Sequence, residues 1–356
     1  MGVEVKSIKH NAIVNGILSV ANIIFPLITF PYISRVLGVE VNGKLNFASA
    51  SLTYFSLFAT LGLSTYGIKA CARVREDRTK LSKTVHELLL INAVTTSLAC
   101  VALVTAIFSI PRYHQEWKLL FIYSWNMILN VVGMNWMYSA IEQYDYITKR
   151  SIVFKFIGVI LMFLFVHNPG DSYKYAVITV FANVGGNILN IIHSRRFITY
   201  KWYGNYDCKQ HIKPTLALFA TYLAVNVYSS LDSVMLGFIC GDFEVGIYSA
   251  AVKIRTVLTT LITSIGTVLL PRLSFYIANE NWNEFKRLLK KSYCTIIMMA
   301  IPMMIYFILA AAPSIVFLSG TEYAEAATPM RILMPIMLIT SLSNITGMQI
   351  LIPTGG

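Results

Sequence analysis

Apolar residues fill this chain in long blocks separated by short polar gaps. Ten blocks approach the roughly 20 residues that a helix needs to cross a bilayer. They fall at 11–33, 45–66, 85–110, 119–140, 151–166, 175–193, 214–240, 247–270, 293–318 and 328–352. Each predicts a membrane helix, and the short gaps predict antiparallel neighbours. Inside several blocks, polar residues recur at helical spacing. In the eighth block Ser249, Lys253, Thr256, Thr260, Thr263 and Thr267 share one face. The second block repeats the pattern with Asn46, Ser49, Thr53, Ser56 and Thr60. The first adds Asn11, Asn15, Ser19, Asn22, Pro26 and Thr29, and the seventh adds Asn226, Ser229 and Ser233. One such stripe would be read as a helix–helix contact, where Ser and Thr are common. Stripes in blocks 1, 2, 7 and 8, which correspond after a shift of six, point instead to a shared water-filled cavity.

Two cations interrupt the eighth block, Lys253 and Arg255. Each would cost about 2.5–3.5 kcal/mol at the bilayer centre. At 100° per residue they lie about 200° apart, so Lys253 joins the polar face and Arg255 does not. Asp232 in block 7 and Lys253 both fall roughly 10–14 Å inside the outer end of the 7–8 hairpin, at about 1.5 Å per residue. They are expected to face each other or the cavity. Lys155 is expected to snorkel toward the interface. Pro26 and Pro31 are expected to interrupt the first helix, because proline frees a carbonyl and bends the chain.

Composition agrees with a membrane setting. Of 356 residues, 56% are hydrophobic and 13% charged, against about 25% charged in soluble domains. The net charge of +12 therefore reports topology rather than a nucleic-acid partner. With the N-terminus inside, 20 of the 29 Lys and Arg fall in inner segments, six in outer segments and three within helices. That bias predicts a cytoplasmic N-terminus, and ten crossings return the C-terminus to the cytoplasm. The first apolar block is too long for a signal-peptide core, and no small-residue cleavage site follows it. The inner stretch SFYIANENWNEFKRLLKKS, 274–292, reads either as an amphipathic surface helix resting on Phe275, Trp282, Phe285, Leu288 and Leu289 or as a plain topogenic loop. The five cysteines have no CxxC spacing and the six histidines are scattered. There is no P-loop, HExxH or GxSxG. No catalytic, metal or cofactor site is predicted.

LGVEVNGKLNFASAS, from Leu37, resembles LGFICGDFEVGIYSAAV, from Leu236. The match falls at the same place in two halves of the chain, around Gly43 and Gly246. Six helices per repeat is an even number, so the repeats are parallel and a substrate site is expected between two lobes. The lobes are expected at 1–200 and 214–356, with a cytoplasmic linker at 201–213.

Three stretches carry a family resemblance: FPLITFPYISRVLGVEVNGKLNFASA, WMYSAIEQYDYITKRSIVFK and LDSVMLGFICGDFEVGIYSAAVKIRTVLTTLITSIGTVLLPRLS. In them the chain resembles the Wzx-type polysaccharide-unit flippases of the MOP exporter superfamily. The resemblance implies an all-α, MOP/MATE-like two-lobe bundle in the bacterial inner membrane. It implies translocation of an undecaprenyl-diphosphate-linked sugar unit, for O-antigen or capsule, from the cytoplasmic to the periplasmic leaflet by alternating access. A gradient of protons or other cations would drive the cycle, with no enzyme chemistry and no cofactor. The implied partners are the lipid-linked glycan, membrane lipids, and a polymerase and chain-length regulator of the same pathway. Lys253 fits the diphosphate or sugar-acid partner, beside Asn15, Asn22, Asn46 and Thr256. Asp232 fits a counter-ion or coupling carboxylate. Arg35, in PYISRVLG, fits a headgroup contact at the outer mouth or a snorkelling side chain. Glu142 fits a cytoplasmic gate or a loop-pairing carboxylate, and Pro26 and Pro31 fit flexing points. The family has at least twelve helices, so with ten the second lobe is expected to lack its last two. The alternatives are a cation-coupled drug or metabolite exporter of the same fold, which would want acidic residues in the cavity, and an inactive truncated remnant. A peptidoglycan-precursor flippase would want more arginines in the first lobe's helices. A glycan polymerase would want a large outer loop.

Overall fold

The computed structural model describes residues 8–351, apart from the side chains of 8, 9, 11–13, 15, 19, 23, 227–229, 265–268, 270, 271, 274, 278, 348 and 351. Every regular element among the described residues is helical. In chain order the α-helices are α1 (Ile8–Thr60), α2 (Leu63–Arg73), α3 (Arg78–Ser109), α4 (Pro111–Gln115), α5 (Trp117–Val131), α6 (Asn135–Ala140) and α7 (Tyr144–Phe165). There follow α8 (Ser172–Val184), α9 (Asn187–Ser194), α10 (Lys209–Ile239), α11 (Asp242–Ala278), α12 (Trp282–Leu309), α13 (Ala311–Ser319) and α14 (Ala327–Asn344).

Among the described residues, six stretches are long and apolar enough to cross a membrane: Gly16–Arg73, Arg78–Ser109, Pro169–Ser194, Asp242–Ser264, Trp282–Leu309 and Thr321–Gly347. A seventh is Lys209–Asn226 with Ser230–Ile239, two arms meeting at 57°. The chain is thus an all-α polytopic membrane protein. The difference from the ten predicted blocks has identifiable sources. Gly16–Arg73 contains blocks 1 and 2 together; at about 1.5 Å per residue it is nearly three bilayer cores long. Helix α5 has 15 residues, short of a full crossing. Helix α7 carries Lys149, Arg150 and Lys155.

Gly38 divides α1 into arms 8–37 and 39–60. Its φ of 76° and ψ of 175° are the only non-helical angles inside the element. Only glycine adopts that region without strain. Both prolines sit in the first arm, and the helix continues through them, contrary to the expected interruption. Side chains bond to carbonyls along this arm: Ser34 Oγ donates to Phe30 O at 2.8 Å and Arg35 Nη1 to Pro31 O at 3.3 Å. Membrane helices tolerate proline when such neighbours re-satisfy the backbone.

The chain forms two compact units, Met1–Phe25 with Glu40–Val245, and Pro26–Val39 with Gly246–Gly356. The first is centred on Leu63, Leu88, Met137, Tyr138 and Ile141, contributed by α2, α3 and the α6 region. The second is centred on Ile262, Ile296, Met330, Met334 and Met337, from α11, α12 and α14. Gly38 O accepts from Tyr323 Oη at 3.1 Å, and Gly237 O accepts from Arg112 Nε at 3.1 Å.

The stretch 274–292 forms no separate surface helix. Its first part completes α11, the chain turns at Asn279–Asn281 with Glu280 at φ 55°, and Trp282 begins α12. Phe275 and Trp282 are exposed, but Phe285 is buried, so the five apolar residues do not share one outward face.

Candidate functional site

A half-open cavity of about 310 Å³ is formed by residues of the first unit. Thr60 at the end of α1, Leu63, Ser64 and Ile68 of α2, and Asn92 of α3 line one part of its wall. Asn130 of α5 with Asn135, Trp136 and Ser139 of α6 completes it. The local backbone explains how these side chains converge. Leu61 (φ 43°) and Gly62 (φ 73°) turn the chain from α1 into α2. Met134 (φ 44°) turns it from α5 into α6. Trp136 packs flat enough against α2 that a Cβ on Gly67 would lie 2.7 Å from its ring. The lining thus offers three carboxamides, hydroxyls from Thr60, Ser64 and Ser139, and an indole. Amides supply paired donors and acceptors, and an aromatic face supplies apolar contact area. No carboxylate is among the lining residues.

Behind this wall lies Arg150, 9% exposed. Its guanidinium donates to Asn135 Oδ1 at 3.0 Å and to Asn190 Oδ1. Asn190 in turn donates to Gly133 O, and Tyr138 Oη donates to Asn190 O at 2.7 Å. Arg150 has no carboxylate within salt-bridge distance among the described residues. It is a buried charge in α7, one hydrogen bond from the cavity through Asn135.

The sequence-predicted residues are distributed as follows. Lys253 is half-buried in α11, in the second unit, and its ammonium has no hydrogen-bond or ion-pair partner among the described residues. Asp232 is half-buried in the first unit and its Oδ1 accepts from the Ser233 amide at 2.8 Å. Thr256 is exposed and donates to Val252 O at 2.8 Å. Its neighbours on the stripe do likewise, Thr260 to Thr256 O and Thr263 to Thr259 O. These hydroxyl hydrogens are spent within the helix, so the stripe presents acceptors. Asn46 Nδ2 donates to Asn42 O at 2.7 Å. Asn22 accepts from Lys155 Nζ, so Lys155 bonds across to α1 rather than snorkelling. The side chain of Asn15 lies outside the described residues. Arg35 donates to Phe317 O. Glu142, at φ 59°, accepts from Arg75 Nη1 at 2.5 Å and ties the α6–α7 junction to the end of α2.

Sequence reasoning found only Thr60 of the cavity. It missed Asn92, Asn130, Asn135, Trp136 and Ser139. The signal for the last four was WNMILNVVGMNWMYSA, where asparagines recur at Asn126, Asn130 and Asn135 inside an apolar run. Amides in such a run need partners or a cavity.

Helices of membrane-crossing length define a multi-pass membrane protein, and its first unit carries an amide-lined, half-open cavity. The chain belongs to the polysaccharide biosynthesis protein family, whose model matches residues 8–277. The MatE model matches residues 217–350. A curated protein of Escherichia coli (strain K12), named "Putative O-antigen transporter", is 25% identical over 353 residues, covering 97% of this chain and 84% of the relative. A protein of the same name from Shigella dysenteriae is 26% identical over 278 residues, covering 75% of this chain and 67% of the relative. No solved structure matches.

Proposed function

We propose that the chain translocates undecaprenyl-diphosphate-linked glycan units across the bacterial inner membrane by alternating access, with its N-terminus in the cytoplasm. The observation that carries this reading is the amide- and indole-lined cavity with Arg150 behind it. Carboxamides and hydroxyls satisfy sugar hydroxyls, the indole covers an apolar sugar face, and the buried guanidinium favours an anionic neighbour. With a cytoplasmic N-terminus, the lining residues of α2 and α6 fall toward the inner leaflet, where a lipid-linked unit is first met. Family membership and the O-antigen transporter relatives support the same substrate class. Lys253, with Thr256 and Asn46, then serves the diphosphate or a sugar acid between lobes 1–200 and 214–356, with Asp232 as counter-ion and Glu142–Arg75 as a cytoplasmic tie.

The MatE match keeps a second reading, a cation-coupled exporter of small molecules. It would call for carboxylates around the cargo, and the cavity lining has none. Complementation separates the two. The tagged chain is expressed in a strain that lacks its own O-unit flippase, with a matched sugar cluster. Long-chain surface polysaccharide is expected to return, and Asn92→Val is expected to reduce it several-fold at equal membrane abundance. No return at normal abundance would overturn the glycan reading.

A further inference from the structure

A loop of the first unit, outside the cavity, combines exposed aromatic rings with exposed cations. Residues 195–208 join α9 to α10 without forming a helix. They are held in place because the loop is bonded along the start of α3. Arg78 Nη2 donates to Arg195 O at 3.0 Å, the Thr199 amide to Ser82 Oγ at 2.9 Å and the Asp207 amide to Glu87 Oε1 at 2.8 Å. His86 Nδ1 lies 3.1 Å from Tyr206 Oη, which also accepts from the Tyr203 amide at 3.2 Å. Residues 78, 82 and 86 are one helical turn apart, so the loop runs lengthwise down α3.

That ladder sets the loop's depth. Residues 88–109 of α3 contain no charge. At about 1.5 Å per residue they are about 33 Å long, enough for a hydrocarbon core of about 30 Å. Residues 78–87 hold Arg78, Lys80, Lys83 and Glu87 and extend about 15 Å further. Trp202 follows the contact at Ser82 and precedes the one at His86. Those levels are about 3–9 Å along α3 from its uncharged part, within reach of a headgroup layer about 5–8 Å thick.

At this level Trp202 is 74% exposed and Tyr200 46% exposed. Gly204 (φ 62°) and Asn205 (φ 42°) turn the chain, and the Tyr206 ring stands edge-on to Trp202 with centroids 4.9 Å apart. Arg195, Arg196, Lys201, Lys209 and Lys213 are all exposed, against one carboxylate in the same stretch, Asp207. None of the five cations is in an ion pair among the described residues. Tryptophan and tyrosine suit the headgroup level because one end of each is apolar and the other polar. Cations clustered at that level attract anionic headgroups.

We propose that residues 195–213 form a binding surface for anionic phospholipid. Trp202 seats among the headgroups, and Lys201, Lys209 and Lys213 supply the countercharge to the lipid phosphate. The surface is separate from the cavity and binds lipid of the surrounding bilayer, so it does not depend on the transport reading.

The test is fluorescence quenching by brominated lipid. The full chain is reconstituted into two sets of vesicles of phosphatidylcholine with a minor share of phosphatidylglycerol. Their composition is the same, but the bromines sit on the phosphatidylglycerol in one set and on an equal amount of phosphatidylcholine in the other. Wild type is compared with Trp202→Phe, and the difference is the emission of Trp202. Brominated phosphatidylglycerol is expected to quench Trp202 several-fold more than brominated phosphatidylcholine. High salt should shrink the preference by screening, and so should the triple variant Lys201→Gln, Lys209→Gln, Lys213→Gln. Equal quenching in the two sets would overturn the proposal, as would a preference that either salt or the triple variant leaves unchanged. No quenching at all would also overturn it and mark a surface for water or a protein partner. If the triple variant does not fold, the wild-type comparison and its salt dependence decide. Loss of complementation with the lipid preference intact would fault the transport reading and leave the lipid surface standing.

Discussion

Arg150 places a guanidinium inside the first unit, behind a wall of amides. Its neighbours are ordered to receive it: Asn135 and Asn190 both turn their oxygens toward it. Replacing it by Met would leave both acceptors without their donor, at about 1–3 kcal/mol. Arg150→Met is therefore expected to lower the thermal unfolding temperature in detergent and to weaken polysaccharide export. Glu116 offers a test by pH. Burial and the nearby Asp242 carboxylate push its carboxyl above the usual range, with Lys44 and Arg112 opposing. A carboxyl raised in the folded state binds protons more strongly there than when unfolded. Its stabilising contribution is thus present below the usual glutamate value of about 4.3 and is lost as pH rises through the raised value. Glu116→Gln is expected to unfold at a higher temperature than wild type at neutral pH, and the difference should vanish as the solution is acidified below pH ~4.

Among the elements, the bend in α1 belongs to one residue. Gly38 combines a positive φ with a carbonyl held by Tyr323, and a Cβ there would lie 3.1 Å from Glu322 Oε2. Gly38→Ala is expected to cost about 1–3 kcal/mol through backbone strain, read as a lower unfolding temperature. Gly16→Ala, within the same helix where an added Cβ meets nothing within 4 Å, is expected not to lower it. Gly246 makes a closer approach, since a Cβ on it would run into Val39 O. Both glycines were visible in the repeated Leu-Gly segments. The prolines drew the sequence argument instead, because a helix breaker is conspicuous in a sequence. Whether it breaks the helix depends on neighbours that only the fold supplies.

For the whole molecule, packing cuts across the repeat. Residues 26–39 pack within the second unit, and α10, which opens the second expected lobe, packs within the first. A transport cycle by alternating access would have to remake such contacts. Lys253→Ala is expected to reduce surface polysaccharide strongly while membrane abundance stays normal, measured by the same complementation. Export at the wild-type level would leave Lys253 a structural residue.

The sequence alone determined the membrane setting, the helical class and the family, because apolar length and polar spacing are local properties of the chain. The Leu-Gly repeat was legible for the same reason. Tertiary structure alone decided that Arg150 is buried, that Lys155 bonds to Asn22, and that Asn92 meets Asn130, Asn135 and Trp136 around one cavity. It also brought Glu87 to His211, 124 residues away. A buried polar group needs partners, but its sequence position does not say which. The partners come from other helices, and which helix faces which is fixed only when the bundle packs.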